Sequence, residues 1–193
     1  MNQQTKSTLI YLTGFMGSGK STIGPILANT LGYEFADVDR VIEQRTGKSV
    51  REIFAEDGEK VFRELERQAL EELSSLEHQI VSLGGGSITD ARNFELVKRS
   101  GILIYLYSSQ EHLLKRLQHK TDRPSLVDEE GDLLPVDQLR ERVKMLYQAR
   151  APIYSQAHLT IHTDDQKVGK SVDEIVKKLS AYRKTEGHAD FSR

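Results

Sequence analysis

Short apolar runs alternate along the chain with longer stretches in which apolar residues recur every three or four positions. The runs at 9–12, 33–38, 79–83, 102–107 and 159–163 predict five β-strands. Helical spacing predicts helices over 22–31, 59–73, 90–99, 136–149 and from 171 to about 183. Three Ser-x-x-Glu patterns read as capping boxes, Ser49 with Glu52, Ser108 with Glu111 and Ser171 with Glu174. The first of these opens a short helix ending near Gly58, and the second a helix running to about His119. Gly32 and Gly101 stop two of the helices, while Pro25 sits inside one and removes a backbone hydrogen bond there. The segment 121–135 carries Pro, Gly and several acids and reads as a mobile loop, or lid. The tail from 184 reads as frayed. Strand and helix alternating in this way predict a parallel sheet with helices on both faces, in one domain over 1–193 with its core at about 8–182.

Bulk properties narrow the class. With 193 residues, 29% charged and 37% hydrophobic, the chain suits one globular α/β enzyme domain. A net charge of −2 offers no basic excess for nucleic acid. No apolar stretch is long enough to span a bilayer, and the N-terminus lacks a signal-peptide pattern. The absence of cysteine excludes thiolate metal sites and fits a cytoplasmic location.

The most specific chemistry lies between the first strand and the first helix. Residues 14–21 read Gly-Phe-Met-Gly-Ser-Gly-Lys-Ser, a phosphate-binding loop in its proper strand-to-helix context. Glycines there let successive N–H groups turn inward around phosphate oxygens, and the helix N-terminus adds its positive end. Lys20 supplies a charge for the β- and γ-phosphates, and Ser21 a hydroxyl for Mg²⁺. The ligand class is therefore a nucleoside triphosphate.

Other groups are less specific by themselves. Asp37 and Asp39, two apart at the end of the second strand, are expected to face one side and to serve the metal and base roles. They also fit a solvated acid pair or a helix cap. Gly84-Gly85-Gly86 after the third strand lets a ligand lie against bare backbone, or forms a flexible turn. Arg63, with Glu59, Glu66 and Arg67 at helical spacing, reads first as part of a surface ion-pair ladder. Arg123 suits a lid arginine, and Arg150 a charge at a helix C-terminus. The histidines show no metal-ligand spacing, and the tyrosines read as packing groups.

Taken in order, these segments resemble the shikimate kinase family from about 8 to 182. The resemblance rests on Gly-Ser-Gly-Lys-Ser-Thr at 17–22, Asp37-Val38-Asp39, Ile-Glu-Gln-Arg-Thr-Gly at 42–47 and Ile-Phe-Ala-Glu-Asp-Gly-Glu at 53–59. It continues through Phe62-Arg63 with Glu66, Ser-Leu-Gly-Gly-Gly at 82–86, Arg123-Pro124 and Arg150-Ala151-Pro152-Ile153-Tyr154. The resemblance implies a P-loop NTPase fold like that of the nucleoside monophosphate kinases, with a five-stranded parallel sheet in the order 2-3-1-4-5. It implies phosphorylation of the 3-hydroxyl of shikimate by ATP, in aromatic amino-acid synthesis. By match to the family, Gly17, Ser18, Gly19, Lys20, Ser21 and Thr22 would bind the nucleotide phosphates. Asp39 would act as base, with Lys20 and Arg123 stabilising the transferring group. Arg63 and Arg150 would take the shikimate carboxylate, with Phe54, Gly84, Gly85 and Gly86 completing the acceptor pocket. Ser21, and Asp37 through water, would hold Mg²⁺, and Arg116 and Gln166 would meet adenine. Relatives are usually monomers, and a monomer is expected here.

Pro25 and the acidic lid stretch at 128–132 depart from the family pattern without removing a catalytic group. Two enzyme alternatives remain, a kinase for another small hydroxy acid such as gluconate and a nucleoside monophosphate kinase. A GTPase is disfavoured because no asparagine is followed by lysine. A catalytically silent nucleotide-binding module is disfavoured by Lys20, Ser21, Asp39, Arg63 and Arg123 occurring together.

Overall fold

A strand buried on both faces must be apolar at nearly every position, and this requirement shapes the centre of the molecule. The computed structural model describes residues 8–118, 124–127 and 132–189, with backbone alone at 124 and 186–189. Five strands, β1 (Leu9–Thr13), β2 (Glu34–Asp37), β3 (Gln79–Ser82), β4 (Ile102–Tyr107) and β5 (Leu159–His162), form one sheet in the order β2-β3-β1-β4-β5. Every pairing is parallel, with Leu12 opposite Ser82 on one side and Ile104 on the other. β1 is buried throughout, as its unbroken apolar run requires.

Alternation along the strands divides the interior in two. Tyr11, Val81, Leu103 and Tyr105 point to one face. There they meet α2 (Val38–Thr46), α4 (Gly58–Leu73), α5 (Ala91–Ser100) and α7 (Val136–Tyr154). Ile10, Leu12, Ile80, Ile104 and Leu106 point to the other face, against α1 (Lys20–Leu31) and α8 (Val168–Ala189). Each fully buried Leu or Ile contributes roughly 1.5–3 kcal/mol. The short helix α3 (Val50–Glu52) and α6 (Gln110–Leu117) complete the α-helices among the described residues, with a π-helical turn at Ile53–Asp57 and 3-10 turns at Ser87–Thr89 and Pro124–Leu126.

The helix limits differ from the expected ones at identifiable points. The expected capping box at Ser49 forms, with Ser49 Oγ accepting from Glu52 N at 3.2 Å and Glu52 Oε2 accepting from Ser49 N at 2.7 Å. The cap of α6 is Ser109 and not Ser108, because Ser108 Oγ donates to Asp164 instead. Ser171 lies inside α8, whose first turn closes earlier on the Lys167 carbonyl. α7 continues past Ala149 through Pro152, so Arg150 sits within the helix and not at its end. α8 continues past Arg183 to Ala189, so the backbone is helical over the first part of the expected frayed tail, whose residues 190–193 lie outside the described residues. Within the expected mobile loop, Leu126 is fully buried and Val127 pairs with Leu133.

One half-buried histidine ties stability to pH. His158 Nδ1 accepts from the Leu103 N–H at 2.8 Å, and the His158 backbone N–H donates to the Leu103 carbonyl. Burial, then the Lys98 charge, pulls the His158 imidazole from 6.5 down to about 4. Between these values the unfolded chain takes up a proton that the folded ring refuses, so stability is lost as pH falls. Chemical denaturation from pH 7 to 4 should show a loss on the order of 2 kcal/mol in the parent, discounted for the ring's partial exposure. His158→Asn, whose amide oxygen can accept the same N–H, should lack that increment.

Candidate active site

In an open parallel sheet, ligands bind beyond the carboxyl ends of strands whose connections diverge. Here β1 leads to one side and the neighbouring β3 to the other, so the crevice opens at their adjacent ends. A cleft of about 700 Å³ lies there.

The loop after β1 forms its floor. Gly14 has φ +142°, and a Cβ there would lie 2.6 Å from the Leu106 carbonyl oxygen, so only glycine fits. Gly19, at φ +102°, precedes α1 without any side-chain cap. The first N–H groups of a helix have no intrahelical acceptors, so this end of α1 presents them to an anion. Lys20 Nζ donates to the carbonyls of Gly14 at 2.7 Å and Phe15 at 3.2 Å, which fixes the loop's curvature. Gly17, Ser18, Gly19, Lys20, Ser21 and Thr22 all line the cleft.

Asp37 and Asp39 line it as well, but not by strand alternation. Asp37 ends β2 and caps α2, accepting from Arg40 N at 3.4 Å, while Asp39 stands in the first turn of α2. The chain turns from strand to helix between them, so the same-face argument fails and the cap reading holds for Asp37.

The opposite wall is built around Gly84-Gly85-Gly86. Positions where a Cβ would stand on these glycines lie close to several functional groups. From Gly84, Glu66 Oε1 is 3.0 Å away and Asp39 Oδ1 3.1 Å; from Gly85, Arg150 Nη1 is 3.5 Å; from Gly86, Arg63 Nη2 is 2.9 Å. A Cβ on Gly86 would displace the Arg63 guanidinium, whereas one on Gly85 would meet Arg150 at ordinary contact distance. Arg63 is not part of one surface ladder. Its guanidinium pairs with Glu59 at 3.1 Å and Glu66 at 2.8 Å, whereas Arg67 pairs separately with Glu64 and Glu71. The Glu66 side chain is 1% exposed and also accepts from Ser87 Oγ. Phe54 packs on Phe62 at 4.7 Å between ring centres, and Arg63 lies over Phe62. Phe54 and Arg63 thus pack on the same Phe62 ring, and both lie beside the cleft lining, as do Gly86 and Arg150.

At the other end, Arg116 Nη1 donates to the Gly17 carbonyl at 3.0 Å and Nη2 reaches the Thr163 carbonyl at 3.4 Å. Thr163 Oγ1 in turn donates to the Ser18 carbonyl, and Gln166 is exposed on the same rim. Arg123 lies outside the described residues.

Two groups beside the triple glycine, Glu66 and Tyr154, stand in the motifs that carry the resemblance but have no role there. Glu66 was legible in one respect, since it occupies a position on the α4 face shared by Phe62, Ala69, Leu70 and Leu73. A charged residue in an apolar stripe signals a buried partner. Tyr154 is fully buried, and its hydroxyl donates to the Gly85 carbonyl. Burial pushes the Tyr154 phenol up to about 12 against the lowering effect of Arg150, so it keeps the proton that this bond needs. No spacing rule marks such a tyrosine.

Removing Arg63 should leave Glu66 as an uncompensated buried charge. Arg63→Ala should lose about 3 kcal/mol of unfolding free energy in urea, and Arg63→Ala with Glu66→Ala should lose less than the two single changes summed.

The comparisons with known proteins agree with this geometry. The sequence model of the family "Shikimate kinase" matches residues 16–180. The shikimate kinase of Chlorobaculum parvum is 51% identical over 175 residues, covering 91% of this chain and 94% of the relative. The solved shikimate kinase of Acinetobacter baumannii, in complex with shikimate, superposes with a TM-score of 0.82 at 36% identity, covering 90% of this chain and 93% of that one. A gluconokinase from Sinorhizobium meliloti shares the fold alone, with a TM-score of 0.58 at 19% identity. With a phosphate loop facing a glycine wall flanked by two arginines, and relatives of this similarity over nearly its whole length, the chain belongs to the shikimate kinase family.

Proposed function

We propose that the chain transfers the γ-phosphoryl group of ATP to the 3-hydroxyl of shikimate, with the residue roles that follow. The observation that carries this reading is the pair of guanidiniums, Arg63 and Arg150, at the bare backbone of Gly84–Gly86, where the Cβ position of Gly85 also lies 3.6 Å from Met16 N of the phosphate loop. Two arginines match one carboxylate by charge-assisted hydrogen bonds, and three glycines leave room for a hydroxylated ring.

The Gly17–Thr22 backbone, the open end of α1 and Lys20 bind the ATP phosphates. Arg116 and Gln166 border the adenine. Asp39 receives the proton of the acceptor hydroxyl as its oxygen bonds to the γ-phosphorus and the bond to the β,γ-bridging oxygen breaks, releasing ADP. The Ser21 hydroxyl and the Asp37 carboxylate are hard oxygen donors on one cleft, which fits Mg²⁺ bound mainly through phosphates and water. When bound, Mg²⁺ neutralises phosphate charge. Arg123, by its place in the lid segment, adds charge to the transferring group. One chain supplies every one of these groups, as a monomer acting on small molecules requires. Among the described residues no helix is long and apolar enough to cross a membrane.

ADP release should rise strongly with shikimate in a panel of shikimate, quinate, gluconate, AMP and no acceptor. Stimulation by gluconate in place of shikimate would transfer the reading to the other hydroxy-acid kinase. Asp39→Asn should lower kcat by at least about a hundredfold while ATP binding by calorimetry persists. Arg150→Ala should raise the KM for shikimate by about a hundredfold, with the KM for ATP little changed.

A further inference from the structure

We propose that Tyr154 is a positioning residue for the acceptor, orienting the Gly86 N–H as a third donor between Arg63 and Arg150. The inference rests on the reading of the glycine wall as the acceptor site. Three observations support it.

The first is the hydrogen bond. From a side chain with no exposed surface, the Tyr154 hydroxyl donates to the Gly85 carbonyl and also accepts from the Arg150 side chain, so the amide resonances and not the KM alone read the orientation of the peptide. Tyr154 lies one turn after Arg150 on α7, so one helix face carries both an arginine of the wall and the hydroxyl that grips it. Tyr105, at 5.2 Å between ring centres, backs the Tyr154 ring and limits its movement.

The second is peptide geometry. There are no cis peptide bonds among the described residues, and in a trans unit the C=O and N–H point in opposite directions. Drawing the Gly85 carbonyl toward Tyr154 therefore turns the Gly86 N–H away from the helix. That N–H has no hydrogen-bond partner among the described residues, whereas the next N–H, of Ser87, donates to the Gly84 carbonyl.

The third is the surroundings of this peptide. Arg150 Nη1 lies 3.5 Å from the Cβ position of Gly85, and Arg63 Nη2 lies 2.9 Å from that of Gly86. An unused backbone donor between two guanidiniums suits an anionic or hydroxyl oxygen of a small acceptor. Glycine alone does not hold a peptide in one orientation, since it is the residue with the widest backbone freedom. The tyrosine hydroxyl supplies that constraint.

The test uses the full chain with Tyr154→Phe, which deletes only the hydroxyl, and Tyr105→Phe as a control. Tyr105 also buries a phenol, but its hydroxyl approaches Tyr147 and not the glycine wall. Tyr154→Phe should raise the KM for shikimate by about tenfold or more, leave the KM for ATP within about twofold, and lower kcat by less than the KM rises. Tyr105→Phe should leave the KM for shikimate unchanged. In ¹⁵N spectra without ligand, Tyr154→Phe should shift the Gly85 and Gly86 amides and leave those of 14–21 in place.

A KM for shikimate within about twofold of the parent overturns the proposal, as does a parallel rise in both KM values. Unmoved Gly85 and Gly86 resonances overturn the positioning whatever the acceptor is. Should Tyr154→Phe not fold, the parent still decides, because shikimate added to it must shift the Gly86 amide. Failure of the parent to turn over shikimate in the panel would count against the acceptor assignment instead, separately from the ligand-free spectra.

Discussion

A carboxylate removed from water needs a cation and a hydrogen-bond donor at hand, and Glu66 imposes that requirement on the acceptor half of the molecule. It sits on the buried face of α4, where Arg63 one turn earlier supplies the charge and Ser87 the hydroxyl. Ser87 follows the triple glycine, so meeting the needs of Glu66 also draws the glycine wall against α4. Arg63, held from one side by Glu59 and Glu66, is left with its guanidinium against Gly86. Burial of a single ionised group thus fixes the relative placement of a helix, a loop and an anion-binding arginine. Such a pair contributes little net stability compared with an apolar substitute, and its value lies in the geometry it dictates.

Much of the fold was legible because the central strands β1 and β4 are apolar runs with little ambiguity. Ile102–Tyr107 matches the expected range at both ends. Where helix limits were missed, a distant contact outweighed a local signal. Pro152 reads as a stop, yet α7 carries on to place Tyr154 in the core beside Tyr105. Ser108 fits a cap by spacing, but Asp164 on the far side of β5 takes its hydroxyl and Ser109 assumes the role. Local propensity is a weak prior wherever tertiary packing competes with it.

The site divides in the same way. Glycines and a lysine at fixed spacing have a single mechanical reading, so the phosphate floor could be read directly. Asp37 and Asp39 were placed in the right cleft for the wrong reason, because the chain passes from strand to helix between them. The resemblance to a family, and not the spacing, separated Arg63 from its neighbour Arg67. Glu66 and Tyr154 act through other groups, one beneath an arginine and one behind a carbonyl. A pattern that looks for ligand-facing residues passes over both.

The division of the interior by the sheet has an evolutionary side. The helix that follows the phosphate loop, α1, is rooted in one core together with α8, while Phe15 and Met16 of the loop itself lie in the other core, with α2, α4, α5 and α7. A change of side chain in that second core therefore reaches the loop directly, so the loop and the elements around the triple glycine must drift together.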